Sequence, residues 1–373
     1  MRKLFLSLFL LLILFISWPF IDKQLEKTSL NPYVHRFKAE LNEMKENPAV
    51  STVIDKVFNT FHQLTDLNDN RKLEKEEKEV EKPNLSIPNE HAFSIYNLVL
   101  GEKRAAVEQR LGKAKRTTVN EYGAEWNTYH ENYQNFIMVS YDENNEVDGL
   151  FTNQDLIASS VGINWGTPKE KVIEQLGEPL KQIKKGMLFF QFQENSDYDV
   201  FHIDNSYLTI FYDKHNHNHV TSIQIVNELL EENKEDFYTK ASVELKEGFE
   251  YQLFDLTNAD RVTHHLPILQ WNERVKETAR EHSLDMAKNN YFSHTNLEGL
   301  SPFQRMENDG VAYSFAGENL ASGQFSSIFA HEGLMNSLGH RENILRPEYQ
   351  YLGVGVAFNT KSQPYYTENF FAE

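Results

Sequence analysis

Two histidines, a glutamate and a serine, spread over about 50 residues near the C-terminus, are the groups in this chain best suited to chemistry. His294 lies in Tyr291-Phe292-Ser293-His294-Thr295 and Glu318 in Gly317-Glu318-Asn319. Ser337 and His340 lie in the run Met335 to Leu345, which reads M-N-S-L-G-H-R-E-N-I-L. Neutral imidazoles with one carboxylate are a common Zn²⁺ first shell, so His294, Glu318 and His340 are the candidate metal ligands. Zn²⁺ or another divalent ion is the cofactor such a set would take. Ser337 and His340, three residues apart, also have the spacing of a nucleophile and its base, with Glu318 available to orient the imidazole. No G-x-S-x-G elbow accompanies them, and Ser337 fits a helix-end hydrogen-bonding residue better than a nucleophile. The same groups also make sense as a hydrogen-bonded brace without chemistry.

Other histidines carry less. His215, His217 and His219 alternate among asparagines, which fits an exposed turn better than a metal trap. His282 falls on the stripe Val275, Ala279, His282, Met286 of a helix and reads as a packed histidine. Asn289-Asn290 breaks that helix, and Tyr291 and Phe292 are expected to anchor the loop that carries His294.

The three islands match one family in order and spacing. Residues 250–373, about a third of the chain, resemble the CAP superfamily (SCP-like; cysteine-rich secretory proteins, antigen 5 and pathogenesis-related proteins), in its cysteine-free bacterial branch. Asn258, Arg261, Leu266, Pro267 and Trp271 fit the family's opening N-x-x-R-x-x-x-x-L-P-x-L-x-W stretch, and Leu352-Gly353-Val354-Gly355-Val356 its glycine-punctuated strand. The resemblance implies an α-β-α sandwich, an antiparallel sheet between helix layers. Its cleft would be lined by His294, Glu318, Ser337 and His340. Three of these correspond to the family's cavity tetrad; Ser337 stands where animal and plant relatives carry a glutamate, which weakens a four-ligand metal site. Glu332, five residues earlier on the same expected helix, is not expected to compensate, because that spacing rotates it off the face of Ser337.

Around this domain, the composition and patterning set the organisation. The chain has 373 residues, a formal charge of -18 and no cysteine, which excludes disulfides and thiolate metal sites. An acidic chain without a basic cluster is not built for a phosphate backbone, so nucleic acid is not an expected partner. Arg2 and Lys3 precede Leu4 to Ile21, an uncharged run long enough to cross a hydrocarbon core of about 30 Å. No small-x-small cleavage site follows, so residues 1–21 read as an uncleaved signal anchor in the cytoplasmic membrane, with the bulk of the chain outside the cytoplasm.

Residues 22–90 read as a stalk. Val50, Val53, Ile54, Val57, Phe58, Phe61 and Leu64 make one face of an amphipathic helix, and Arg71 to Lys82 is a solvated run of mixed charge. Residues 91–228 contain a duplication: Gly101, Val107, Leu111 and Gly112 recur 65 residues later as Gly166, Val172, Leu176 and Gly177. Each copy predicts one helix followed by a small antiparallel sheet, and two copies would share a core. This pair resembles the domain often found ahead of bacterial CAP domains. In the C-terminal domain, helices are expected over Glu250–Val262, Asn272–Lys288, Pro302–Asp309 and Ser326–Ser337, and strands over Tyr351–Phe358 and Tyr365–Phe371.

The fold class is therefore α+β throughout. Function divides three ways: an envelope binding module whose cleft takes a lipid, glycan or peptide; a metal-assisted hydrolase or protease; or a structural protein that docks through its repeats. The first is favoured, because binding requires only converging polar groups, whereas catalysis also requires an activated nucleophile.

Overall fold

In the duplicated region the same backbone turn occurs twice. Gly101 and Gly166 adopt φ of 81° and 82°. Helix α1 (Arg104–Leu111) stops at Gly112, φ 76°, and α2 (Lys169–Leu176) at Gly177, φ 79°. These left-handed values suit glycine, which explains why these four positions recur. Val107 and Val172, at matched places in the two helices, are fully buried. The computed structural model describes residues 80–185, 188–192 and 196–373. The expected anchor Leu4–Ile21 and the stalk as far as residue 79 lie outside them. Among the described residues no helix is long and apolar enough to cross a membrane.

The first copy contributes β1 (Phe93–Ile95), β2 (Arg116–Val119), β3 (Glu125–Glu131), β4 (Gln134–Tyr141), β5 (Val147–Thr152) and β6 (Ile157–Ser159). The second contributes β7 (Gln182–Lys185), β8 (Leu188–Gln191), β9 (Tyr198–Ile203), β10 (Ser206–Asp213) and β11 (His219–Asn227). Instead of two separate small sheets, the copies join edge to edge. The order is β2-β3-β4-β5-β11-β10-β9, with Leu150 of β5 opposite Ile225 of β11 at the antiparallel seam. Two partners are short: β1 pairs with β6, and β7 with β8 as a separate hairpin.

Period-two alternation gives this sheet two apolar faces. Ile137, Val139, Leu150, Ile210 and Ile223 pack with Val107 and Val172. Phe136, Met138, Phe151 and Phe211, on the other face, share a core with Leu253, Phe254 and Leu256 of the C-terminal domain. In chain order α3 (Glu228–Asn233) joins the two domains.

The C-terminal domain runs α4 (Val243–Thr263), β12 (Gln270–Trp271), α5 (Glu273–Asn289), α6 (Pro302–Asn308), β13 (Phe315–Ser322), α7 (Ser327–Met335), α8 (Leu338–Ile344), β14 (Tyr351–Phe358) and β15 (Pro364–Ala372). Its sheet has the order β12-β14-β15-β13. The three long strands are antiparallel as expected, but β12 adds a two-residue parallel pairing to β14. Leu352, Val354 and Val356 face α4 and α7 in the main core. Gly353 and Gly355 face α5, and a Cβ on either would fall within 2.3 Å of the α5 backbone nitrogens of Lys276 and Arg280. The glycines let helix and strand touch, which completes the three layers.

Two helices differ from their sequence pattern. α4 begins at Val243, earlier than Glu250, with the Ser242 hydroxyl accepting from Leu245 N. Glu250, Gln252, Asp255 and Asn258 are buried along it, so it shows no polar face to mark its start. The single helix expected over Ser326–Ser337 ends at Met335, and a new one starts after Ser337. Asn336 sits at the break: its side-chain Nδ2 donates to Tyr212 O and its side-chain Oδ1 accepts from Lys214 N, both in the repeat domain. The His215 to His219 segment is a 3-10 turn followed by the start of β11, with His217 left-handed, rather than one metal-binding face.

Candidate functional site

Asn290, left-handed at the end of α5, turns the chain into the loop that carries His294. Tyr291 fastens this loop, packing beside Met286 and donating to Asp285 Oδ2 at 2.5 Å. Phe292 does not share the expected anchoring; it is 55% exposed. His282, buried on α5, donates from Nε2 to Ser293 O at 2.9 Å, which is the packed role its stripe indicated. His294 then reaches the surface and bonds through Nδ1 to Glu318 Oε1 at 2.9 Å. A carboxylate only accepts, so Nδ1 carries the proton and Nε2 keeps its lone pair in the neutral ring.

Glu318 lies in mid-strand on β13 with its side chain 1% exposed. Its second oxygen, Oε2, accepts from the Arg305 guanidinium at 2.5 Å. Arg305 also donates to His294 O and Leu300 O, so it ties loop, strand and α6 together. α6 itself starts with a Ser301/Gln304 capping box and Pro302 in its first turn. No spacing in the sequence marks Arg305; a single arginine after a capping box is its only trace.

The flanking residues of the Gly317-Glu318-Asn319 island have structural work. A Cβ at Gly317 would lie 2.2 Å from Tyr349 Oη. Asn319, on the opposite face from Glu318, donates to His340 O and to Glu368 Oε2. Asn343 donates to Glu318 O and Asn319 Oδ1, which fixes α8 against β13. Arg341 instead ion-pairs with Asp213 of the repeat domain at 3.0 Å.

Ser337 is the N-cap residue of α8, yet its hydroxyl meets His340 Nδ1 at 2.8 Å instead of a backbone amide. Burial, and then the nearby His294, hold the His340 pKa below the ordinary imidazole value, so the ring is neutral at pH 7. The four residues thus form two side-chain pairs, His294 with Glu318 and Ser337 with His340, linked through Asn319 and Asn343. Each imidazole is held at Nδ1, and among the described residues neither Nε2 has a partner.

The metal set expected from sequence does not assemble as three ligands. Both Glu318 oxygens are committed, one to an imidazole and one to a guanidinium, and Arg305 supplies the positive charge a cation would bring. Among the described residues no three His, Asp or Glu side chains are placed to hold a metal ion. Glu332 does not compensate: it is buried at the domain interface, where it accepts from Ser222. The serine, too, lacks a triad, because the carboxylate that would orient His340 is bonded to His294 instead.

The α-β-α sandwich that carries these four residues is the architecture expected of a CAP domain, and comparison with known proteins agrees. Residues 254–370 match the cysteine-rich secretory protein family and residues 100–237 match the CAP-associated N-terminal domain, so the chain carries a CAP domain with a CAP-associated domain ahead of it. Among relatives, the Bacillus subtilis (strain 168) protein YlbC, which its name calls an uncharacterized membrane protein, is 28% identical over 288 residues, 73% of this chain and 82% of its own. YkwD of the same strain is 42% identical over 108 residues, 29% of this chain and 42% of its own. An extracellular SCP-domain protein from Bacillus anthracis str. Ames has the same fold, with a TM-score of 0.64 at 24% identity, over 81% of this chain and all of the other. A cysteine-rich secretory protein from Staphylococcus aureus subsp. aureus Mu50 aligns at a TM-score of 0.57 and 16% identity, over 74% and 94% of the two chains.

Proposed function

We propose that this is a membrane-anchored, extracytoplasmic binding protein whose CAP cleft holds a polar part of an envelope lipid, glycan or peptide. The observation that carries this reading is the state of the two imidazoles: both fixed at Nδ1, both with Nε2 unclaimed among the described residues, on a half-exposed surface. A rigid pair of nitrogens ready to accept or donate is suited to hold a ligand's hydroxyl or amide. Ser337 beside His340 favours a second reading, hydrolysis, but that reading lacks the orienting carboxylate. The anchor at Leu4–Ile21 is part of the proposal, supported by its length and charge flank and by the membrane-protein name of YlbC.

The test is the variant His294→Ala/His340→Ala in the full chain, held in lipid nanodiscs and titrated with envelope lipids, muropeptides and peptides. The expected result is loss of binding with the melting temperature preserved. Unchanged binding with a much lower melting temperature would make the residues a brace. A turnover of those same ligands that Ser337→Ala abolishes would establish the hydrolase. Protease treatment of intact protoplasts should degrade the chain beyond residue 22; resistance there would remove the anchor.

A further inference from the structure

A pocket lies away from His294, Glu318, Ser337 and His340, where the β7–β8 hairpin and the end of α3 meet the start of α7. It encloses about 50 Å³ and takes Phe190, Phe192 and Lys185 from the repeat domain and Phe325 and Phe329 from the CAP domain. Lys234 also lines it and is 9% exposed. The Lys234 ammonium sits 4.1 Å from the Phe325 ring centroid and 5.7 Å from that of Tyr122, yet no oxygen of the described residues bonds to it. Neither neighbouring carboxylate bonds it, although both lend negative charge nearby: Glu231 pairs with Lys185 at 2.5 Å, and Glu121 accepts from Gln224 through Oε1 at 3.2 Å while its Oε2 stays unbonded among the described residues. Asp236 lies on the lining as well.

A buried ammonium has three N–H donors and a large desolvation cost, so it needs an acceptor. Burial pulls the Lys234 pKa down to about 8, which leaves it mostly charged at pH 7. Phe325 offers it apolar surface and cation–π contact but no oxygen, and Tyr122 meets it through the ring face. The volume suits a few heavy atoms, on the scale where one water occupies about 10–15 Å³.

We propose that this interdomain pocket is a second binding site, for a small organic carboxylate with an apolar stem. A carboxylate oxygen accepts from Lys234 Nζ, and the stem lies among Phe190, Phe192, Phe325 and Phe329. Because those rings come from both domains, an occupied pocket adds a contact across the domain boundary.

The experiment is saturation-transfer NMR on the full chain in nanodiscs with butyrate as the probe. Transfer to its methyl protons is expected, with Lys234→Met binding at least about 10-fold weaker, the scale of a lost charge-assisted hydrogen bond. The amine analogue butylamine should show no transfer. Absence of transfer to butyrate at millimolar concentration, or equal affinity in Lys234→Met, overturns the proposal. If Lys234→Met does not fold, Phe190→Ala on the hairpin replaces it: weaker binding supports the site and unchanged affinity refutes it.

Discussion

Glu318 divides its two oxygens between an exposed imidazole and a buried guanidinium, and the two partners contribute to stability very differently. His294 is 53% exposed at its side chain, so its pairing is screened and worth little. Arg305 and Glu318 are 8% and 1% exposed, and removing one partner leaves the other as an uncompensated buried charge. Urea denaturation should therefore show a loss of about 3–5 kcal/mol for Arg305→Met but about 1 kcal/mol or less for His294→Ala. Equal losses would mean that Arg305 does not hold the site. At this scale the sequence was legible where chemistry and backbone shape coincide, as at His294 beside Ser293 or Glu318 between Gly317 and Asn319. It was silent on Arg305, because an arginine that satisfies a carboxylate 13 positions later has no local signature. Phe292 misled in the other direction: a large apolar residue beside Tyr291 suggested an anchor, yet it is exposed.

At the scale of elements, β14 and α5 depend on what two side chains lack. A methyl on Gly355 would stand 2.1 Å from Arg280 N, inside a backbone that cannot swing away. Gly355→Ala should cost about 3 kcal/mol, near the upper end of overpacking penalties, and lower the melting temperature accordingly. At Gly339, in the first turn of α8, an added methyl would meet nothing within 4 Å. Gly339→Ala should be neutral or gain up to about 1 kcal/mol from helix propensity. Comparable losses in both would show that close approach is not the reason for the β14 glycines. Strand alternation and helix periodicity made α5, β14 and β15 readable within a residue or so. The break between α7 and α8 was not, since Asn336 there bonds to a distant domain. The additional turns of α4 were hidden for a related reason: a helix buried on nearly every side has no amphipathic edge to count.

On the scale of the whole molecule, the repeat domain is docked on its own CAP domain, through contacts that link residues more than 100 positions apart. Arg116 pairs with Asp255, Asn153 donates to Asp260, and the Ser222 hydroxyl donates to Glu332 Oε1 at 2.6 Å. No reading of periodicity could pair such residues, although the 65-residue repeat itself was plain. Glu332 makes the interface sensitive to pH. Burial, and then the nearby Asp260, push its pKa up to about 7, while the protonated form of His331, itself bonded to Asp260 at 2.6 Å, and the Ser222 hydroxyl oppose the rise. The carboxyl is ordinary in the unfolded chain, near 4.5. Between these values the folded state retains a proton that the unfolded state releases, so this group's contribution is complete below about pH 4.5 and is lost as pH rises to about 7. Glu332→Gln keeps an acceptor for Ser222 without the ionisation. Relative to the parent chain it should be more stable at pH 8 by about 1–3 kcal/mol and little changed at about pH 4.5, as measured by urea denaturation at the two pH values. The same change at both pH values, or destabilisation at about pH 8, would show that Glu332 is held ionised in the interface.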